Sequence, residues 1–274
     1  MRSRSFLAVA AVALWGVVTG PSRAYAAEAD DLSRWTDIRP MVFGGAAIAD
    51  GAGIIALDTP VRAEDAAIVP ITIQALVPQN PDRYIAKLSL IIDENPSPLV
   101  AVFHLSPLNG SATISTRVRV NDYTNIRAVA ELSDGKLVMV SRYVKAAGGC
   151  SAPAGKDMQA AMARLGKMKM ILPEKILPGQ PAVYQLLLSH PNNSGLQFDQ
   201  MTRNYIPAHY VKSIQVTFDG KPVLMVESNI SISEDPSFHF SWMADRSGSF
   251  EVKAVDSQEK VFTGAFPVTV SSGS

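Results

Sequence analysis

TISTRVRV, residues 113–120, decides the fold class. Ile114, Thr116, Val118 and Val120 fall on one side of the chain, and Ser115, Arg117 and Arg119 on the other. Strand side chains alternate at period two, so this stretch reads as a half-buried β-strand with its arginines outward. The pattern recurs. SIQVTF (213–218) alternates Ile214, Val216 and Phe218 with polar residues, and Asp219-Gly220 follows as a hairpin turn, since both residues tolerate positive φ. SFHFSW (237–242) puts Phe238, Phe240 and Trp242 on one face, and SFEVKAV (249–255) does the same with Phe250, Val252 and Ala254. IRAVAEL (126–132) turns through Ser133-Asp134-Gly135 into LVMVSRYVK. Short strands broken by frequent turns predict an all-β protein of antiparallel sandwiches.

One segment has a different period. In DMQAAMARLG, Met158, Ala161, Met162 and Leu165 recur at i, i+3, i+4 and i+7, the stripe of a helix, with Asp157 as its start and Gly166 as its stop. The chain therefore divides into a leader (1–26), a β-domain (27–150), a linker with a short helix (151–167) and a second β-domain (168–274). At the start of the first β-domain, Trp35, Ile38 and Met41 are spaced to form a short helix packed on the sandwich.

The leader has the features of a secretory signal peptide. Arg2 and Arg4 form a positive n-region, Phe6 to Thr19 is apolar and too short for a membrane span, and Ala24-Tyr25-Ala26 fits the small-x-small cleavage pattern. This predicts a soluble exported protein, periplasmic in a Gram-negative cell. Lys plus Arg equals Asp plus Glu, 25 each, so nothing in the charge points to nucleic acid or an anionic membrane as partner.

The single cysteine, Cys150, lies in KAAGGCSAPAG (145–155). One cysteine forms no internal disulfide, and in an oxidising compartment a lone thiol pairs with another molecule or reacts. Gly148 and Gly149 precede it, with alanines and a serine around them. A core cysteine would sit among Val, Leu and Ile, so this composition predicts an exposed thiol on a slender, flexible arm. Arg142, Lys145 and Lys156 are near enough in sequence to lower its pKa, as is the positive end of the following helix.

GGC after a strand resembles the carrier arm of SoxY, the sulfur-oxidation carrier protein. DTPVRAEDAAIVPITI, IIDENPSPLVAVFHL and STRVRVNDYTNIRAVAELSDGKLV are similar to the SoxY core. VYQLLLSHPNNSGL, YIPAHYVKSIQVTFDGKPVL and SISEDPSFHFSWMADRSGSFEVKAVDSQ are similar to SoxZ, its partner subunit. In this order the resemblance is to the quinoprotein dehydrogenase-associated SoxYZ-like carriers. It implies two immunoglobulin-like sandwiches packed as a pseudo-heterodimer, with Cys150 carrying a small, sulfur-containing intermediate covalently and Gly148 and Gly149 as the flexible arm. The carrier is then not an enzyme and has no cofactor. Its partners are periplasmic redox and hydrolytic enzymes of a Sox-like or quinoprotein dehydrogenase system, and sulfur species, as in thiosulfate oxidation, are the family's default cargo. One departure bears on mechanism: the SoxY arm is a free C-terminus, whereas here Ser151-Ala152-Pro153 follows and the chain continues into the second domain. An arm tied at both ends reaches less far.

Other constellations carry less. His104, His190, His209 and His239 show no metal-ligand spacing, and all four read as structural or surface residues. Asp93, Glu94, Glu234 and Asp235 sit in turn-like contexts, where turn chemistry accounts for them. Met158, Met162, Met168 and Met170 follow Cys150 and could join its thiolate in binding Cu(I), but methionine also fills gaps between domains. Hydrolase, P-loop, Rossmann and haem-attachment motifs are absent. The alternatives to a covalent carrier are a non-covalent accessory or scaffold protein of a quinoprotein dehydrogenase system, with Cys150 dispensable, and a copper-handling or thiol-redox protein.

Overall fold

The computed structural model describes residues 33–153 and 158–271. The expected leader, Asp157 and Lys156 lie outside them. A helix, α1 (Ser33–Phe43), precedes eight strands: β1 (Ile48–Asp50), β2 (Ile55–Asp58), β3 (Val69–Ala75), β4 (Ile85–Ile92), β5 (Leu99–His104), β6 (Ile114–Val118), β7 (Thr124–Leu132) and β8 (Leu137–Val144). A second helix, α2 (Met158–Ala163), leads to β9 (Met168–Ile171), β10 (Pro181–Leu188), β11 (Phe198–Asp199), β12 (Asn204–Tyr205), β13 (Val211–Phe218), β14 (Lys221–Ser228), β15 (Ser237–Met243), β16 (Gly248–Asp256) and β17 (Val261–Val268). The protein is nearly all β, as two immunoglobulin-like sandwiches.

The two sandwiches share both of their sheets. One sheet runs β1-β8-β7-β4-β5-β14-β13-β16-β17, the other β2-β3-β6-β15-β10-β9. The seam in the larger sheet is the antiparallel pair β5–β14, which sets Phe103 opposite Val226 and His104 opposite Met225. In the smaller sheet β6 meets β15 at Ser115 and His239. Joining edge to edge gives four strand edges a hydrogen-bonding partner that each sandwich alone would leave open. Pairing is antiparallel except between β1 and β8, which are parallel.

The alternating faces form one core across both halves. Ile114 and Val118 of β6, Ile214, Val216 and Phe218 of β13, Phe238, Phe240 and Trp242 of β15, and Phe250, Val252 and Ala254 of β16 are all buried in it. Its aromatic centre in the second half is Tyr184, edge-on to Phe250 at 4.9 Å, with Phe218 edge-on to the same ring at 5.0 Å. Asp219 and Gly220 both take positive φ, 47° and 79°, as a tight hairpin turn needs. Trp35 and Ile38 of α1 pack on Ile91 and Val129 of the larger sheet, while Met41 points to solvent. Met162 of α2, expected in the packed stripe, is largely exposed; Leu165 just beyond the helix packs on the core instead.

One reading is corrected at the seam. Arg119, expected outward, is only 1 % exposed: β6 ends at Val118, and the alternation ends with it. Asp93 sits in the turn after β4, as its context implies, and is buried there against Arg127 at 2.8 Å, with the guanidinium stacked on Trp35 at 4.8 Å. Such a pair is costly to break, since either partner alone would be a buried unpaired charge.

Candidate functional site

Beyond β8 the chain crosses the seam. Lys145 N donates to Val61 O and its own carbonyl accepts from Ala63 N, which extends the sheet edge by one bridge. The next residues dock against the strand following β6: Gly148 N donates to Asn121 O at 2.8 Å and Gly149 N to Val120 O at 2.9 Å. Gly148 takes φ 79°, and Ser151 N closes a turn onto Gly148 O. Gly149 is required for a different reason. A Cβ there would lie 2.0 Å from Ala66 O and 2.6 Å from Val120 O, both backbone atoms. Only a residue without a side chain fits this groove.

The arm is therefore docked, and the expectation of an exposed thiol is corrected. Cys150 is 0 % exposed, and Gly149 and Ala146 are buried with it. Small residues made the segment slender, but slenderness let it enter a narrow groove rather than swing in solvent. The second half closes the groove. Ser194 Oγ donates to Cys150 O, and Gln197 Nε2 donates to Ala152 O at 3.1 Å. Thus Cys150 is gripped from one side by residues 119–121 and from the other by the loop after β10.

The seam beneath is tied by Asn95, fully buried. Its Nδ2 donates to Arg119 O at 2.8 Å and to Ser231 Oγ at 2.9 Å, and its Oδ1 accepts from Asn121 N at 2.8 Å. One side chain thus links both halves to the strand that holds the arm. Arg119 N adds a bond to Ser231 O at 2.7 Å.

Burial pushes the Cys150 thiol up to about 11, and the one charge that opposes it is the Arg119 guanidinium. Arg142 and Lys145, expected to activate the thiol, contribute nothing there. Arg119 Nη1 donates to Gly149 O at 3.3 Å. Burial also lowers the Arg119 pKa, against the attraction of Glu234, Cys150 and Asp65. At neutral pH the docked cysteine is a neutral thiol and a poor nucleophile.

Beside the arm, β11 and β12 form a small hairpin whose apolar residues face solvent. Met201 is 94 % exposed, and Phe198 and Tyr205 stack edge-on at 5.5 Å. With Pro153 and Pro207 they line a shallow groove three residues from the thiol.

The sequence spacing of the histidines concealed a second cluster. His190, His209 and Asp256 converge from the loop after β10, the approach to β13 and the end of β16, and all three are buried. His209 Nε2 lies 2.8 Å from Asp256 Oδ2, and His190 Nε2 3.6 Å from the same oxygen. His190 Nδ1 accepts from Asn192 N, so its proton belongs on Nε2. Burial, reinforced by His209, lowers His190 to about 4. Burial pushes Asp256 up, but the His209 hydrogen bond and the Lys260 and Gln258 amides outweigh this and hold it below the usual carboxylate range. The cluster anchors the loop carrying Ser194. Only contacts far apart in sequence reveal it. Met170 is buried in the common core, with Met168 packed against it, whereas Met162 is exposed.

Residues 39–150 match the family described as sulfur oxidation protein SoxY, a match that ends at the cysteine, and residues 169–267 match the family described as sulphur oxidation protein SoxZ. The chain is a SoxY-like domain fused to a SoxZ-like domain. Both families are carrier proteins of sulfur oxidation rather than enzymes, and their domains imply dealings with Sox partner enzymes. Among solved structures, the sulfur carrier protein SoxY from Chlorobium limicola f thiosulfatophilum is 28 % identical and aligns over 45 % of this chain and 100 % of its own, with a TM-score of 0.36. A superoxide reductase (neelaredoxin) from Ignicoccus hospitalis is 9 % identical over 33 % of this chain and 78 % of its own, with a TM-score of 0.31. No curated protein matches the chain.

Proposed function

We propose that the protein is a periplasmic covalent carrier whose Cys150 bears a small sulfur-containing intermediate and presents it to partner enzymes. The observation that carries this reading is the placement of Cys150: the SoxY-like match ends on it, and both halves converge on it at their seam. The docked arm is the resting state. The grip consists of a few hydrogen bonds to backbone groups, so a partner that offers replacements can release it. Ser151 to Pro153 then set how far the doubly tethered thiol can travel. Release also restores reactivity, because the desolvation that raises the thiol pKa disappears in solvent. The leader reading supports the periplasmic assignment. Replacement Cys150→Ser tests the proposal: loss of sulfur-dependent turnover with an unchanged melting temperature supports a carrier, and unchanged turnover refutes it.

One observation favours a second reading. A thiol that is fully buried and pushed up to about 11 suits an accessory protein that docks on a quinoprotein dehydrogenase through its sandwich surfaces. In that case Cys150→Ser retains function, while substitutions on the docking surface abolish it.

A further inference from the structure

The loop that grips the arm is built on His190. From Asn192 the chain passes through Asn193, which exchanges two backbone hydrogen bonds with His209 at 2.8 and 3.0 Å, to Ser194 and Gln197, whose side chains hold the carbonyls of Cys150 and Ala152. The first tie in this run is Asn192 N donating to His190 Nδ1 at 3.1 Å. Asn192 is fully buried at φ 44°, a conformation that a non-glycine residue holds only under constraint, and its side chain is pinned to Ile232 O and Val211 N. Its amide therefore has neither water nor a second acceptor at hand.

That tie requires a neutral imidazole. An imidazolium carries N–H groups on both ring nitrogens, so its Nδ1–H would meet the Asn192 N–H donor to donor. Turning the ring over leaves the Asn192 amide buried without an acceptor. Either way the hydrogen bond is lost two residues from Ser194. The charges around the ring come from several elements. His209 lies edge-on at 4.6 Å between ring centroids, and Asp256 Oδ2 is 3.6 Å from His190 Nε2. Phe262 of β17 is edge-on at 6.3 Å, with the Lys260 ammonium over its far surroundings at 5.5 Å from that ring. The Asp235 carboxylate accepts from the His190 amide at 3.3 Å and faces Arg164 at 3.7 Å.

We propose that His190 is the acid-sensing residue of the arm latch: its protonation breaks the bond from Asn192 N, loosens residues 192–197 and frees the Cys150 segment from its groove. Release by this route does not depend on what Cys150 carries. The proton comes from solvent, and no bond between heavy atoms changes. Burial, reinforced by His209, holds His190 at about 4 while the loop is closed, against 6.5 for an unperturbed histidine, so the loosened loop takes the proton first. The released population grows as pH falls below 6.5, by about twentyfold between pH 7 and pH 5.

Amide hydrogen exchange of the full chain tests this. The peptide covering residues 145–153 contains the docked Gly148, Gly149 and Ser151 amides, and a free peptide of the same sequence gives the intrinsic rate at each pH. Protection of the wild-type arm should fall about twentyfold from pH 7 to pH 5. In His190→Asn, whose Oδ1 accepts from Asn192 N without titrating, protection should be equal at the two pH values. Amides of β15 should stay better protected than the arm throughout. Constant protection of the wild-type arm would overturn the inference, and that result needs no variant to fold. A pH dependence that survives in His190→Asn would also overturn it. So would β15 amides exchanging as fast as the arm at pH 5, since the whole molecule would then be unfolding. These outcomes leave the carrier reading standing, because Cys150→Ser tests that separately.

Discussion

Replacing Gly149 with alanine should expel the arm while leaving both sandwiches intact. The added Cβ would lie 2.0 Å from Ala66 O and 2.6 Å from Val120 O. Both atoms belong to backbone already fixed by hydrogen bonding, Val120 N to Ala66 O at 2.8 Å among them, so the arm must move. Expulsion breaks the bonds from Gly148 N, Gly149 N, Arg119 Nη1, Ser194 Oγ and Gln197 Nε2. Each is worth about 0.5–1.5 kcal/mol net, and the sum overstates the loss because a released arm recovers conformational entropy. The thiol pKa supplies a firmer magnitude. Docked, it is pushed from 9.0 up to about 11. Return to the ordinary value raises the thiolate fraction at pH 8 about a hundredfold. The reaction of Cys150 with a neutral alkylating agent at pH 8, followed by intact mass, should therefore speed up by about a hundredfold or more, with only a small fall in melting temperature. A rate within threefold of wild type would refute the reasoning, because it would mean that the wild-type thiol already spends its time outside the groove.

Gly148→Ala is the milder counterpart: it meets no neighbouring atom but must hold φ at 79°, a strain of about 1–2 kcal/mol, so the same alkylation rate should rise about five- to thirtyfold. Ser194→Ala removes the donor to Cys150 O and should raise it about fivefold, equivalent to about 1 kcal/mol. Asn95→Ala loses three hydrogen bonds, one of them across the seam, and should destabilise the whole molecule by about 2–4 kcal/mol in urea unfolding. Acid should weaken the protein through His190. Its folded pKa of about 4 lies below the usual 6.5, so the unfolded chain gains the proton first and stability falls between those values by about 3 kcal/mol; in His190→Asn, whose Oδ1 can accept from Asn192 N, that part of the slope should vanish.

The all-β class was legible because the strands bury one face. Phe238, Phe240 and Trp242, or Phe250, Val252 and Ala254, recur at period two and are buried together. The shared sheets were not legible. The contact of β5 with β14 joins residues more than a hundred positions apart, and an edge strand looks the same in sequence whether it meets solvent or another strand. Arg119 was misread for a related reason: it follows the last residue of β6, where alternation no longer governs, and a charged residue there is buried only because Ser231 and the arm close over it. Cys150 was located by its glycines, yet its burial was missed, since small residues suit a narrow groove as well as a mobile tail. His190, His209 and Asp256 come from three separate segments, and no local pattern could have assembled them.

Intact-mass spectrometry of the protein taken from its native compartment, without reductant and then with it, tests the central claim most directly. The account predicts a reductant-labile adduct that maps to Cys150 and carries sulfur. An unmodified thiol in protein isolated during active sulfur oxidation would contradict the carrier reading and favour the accessory role.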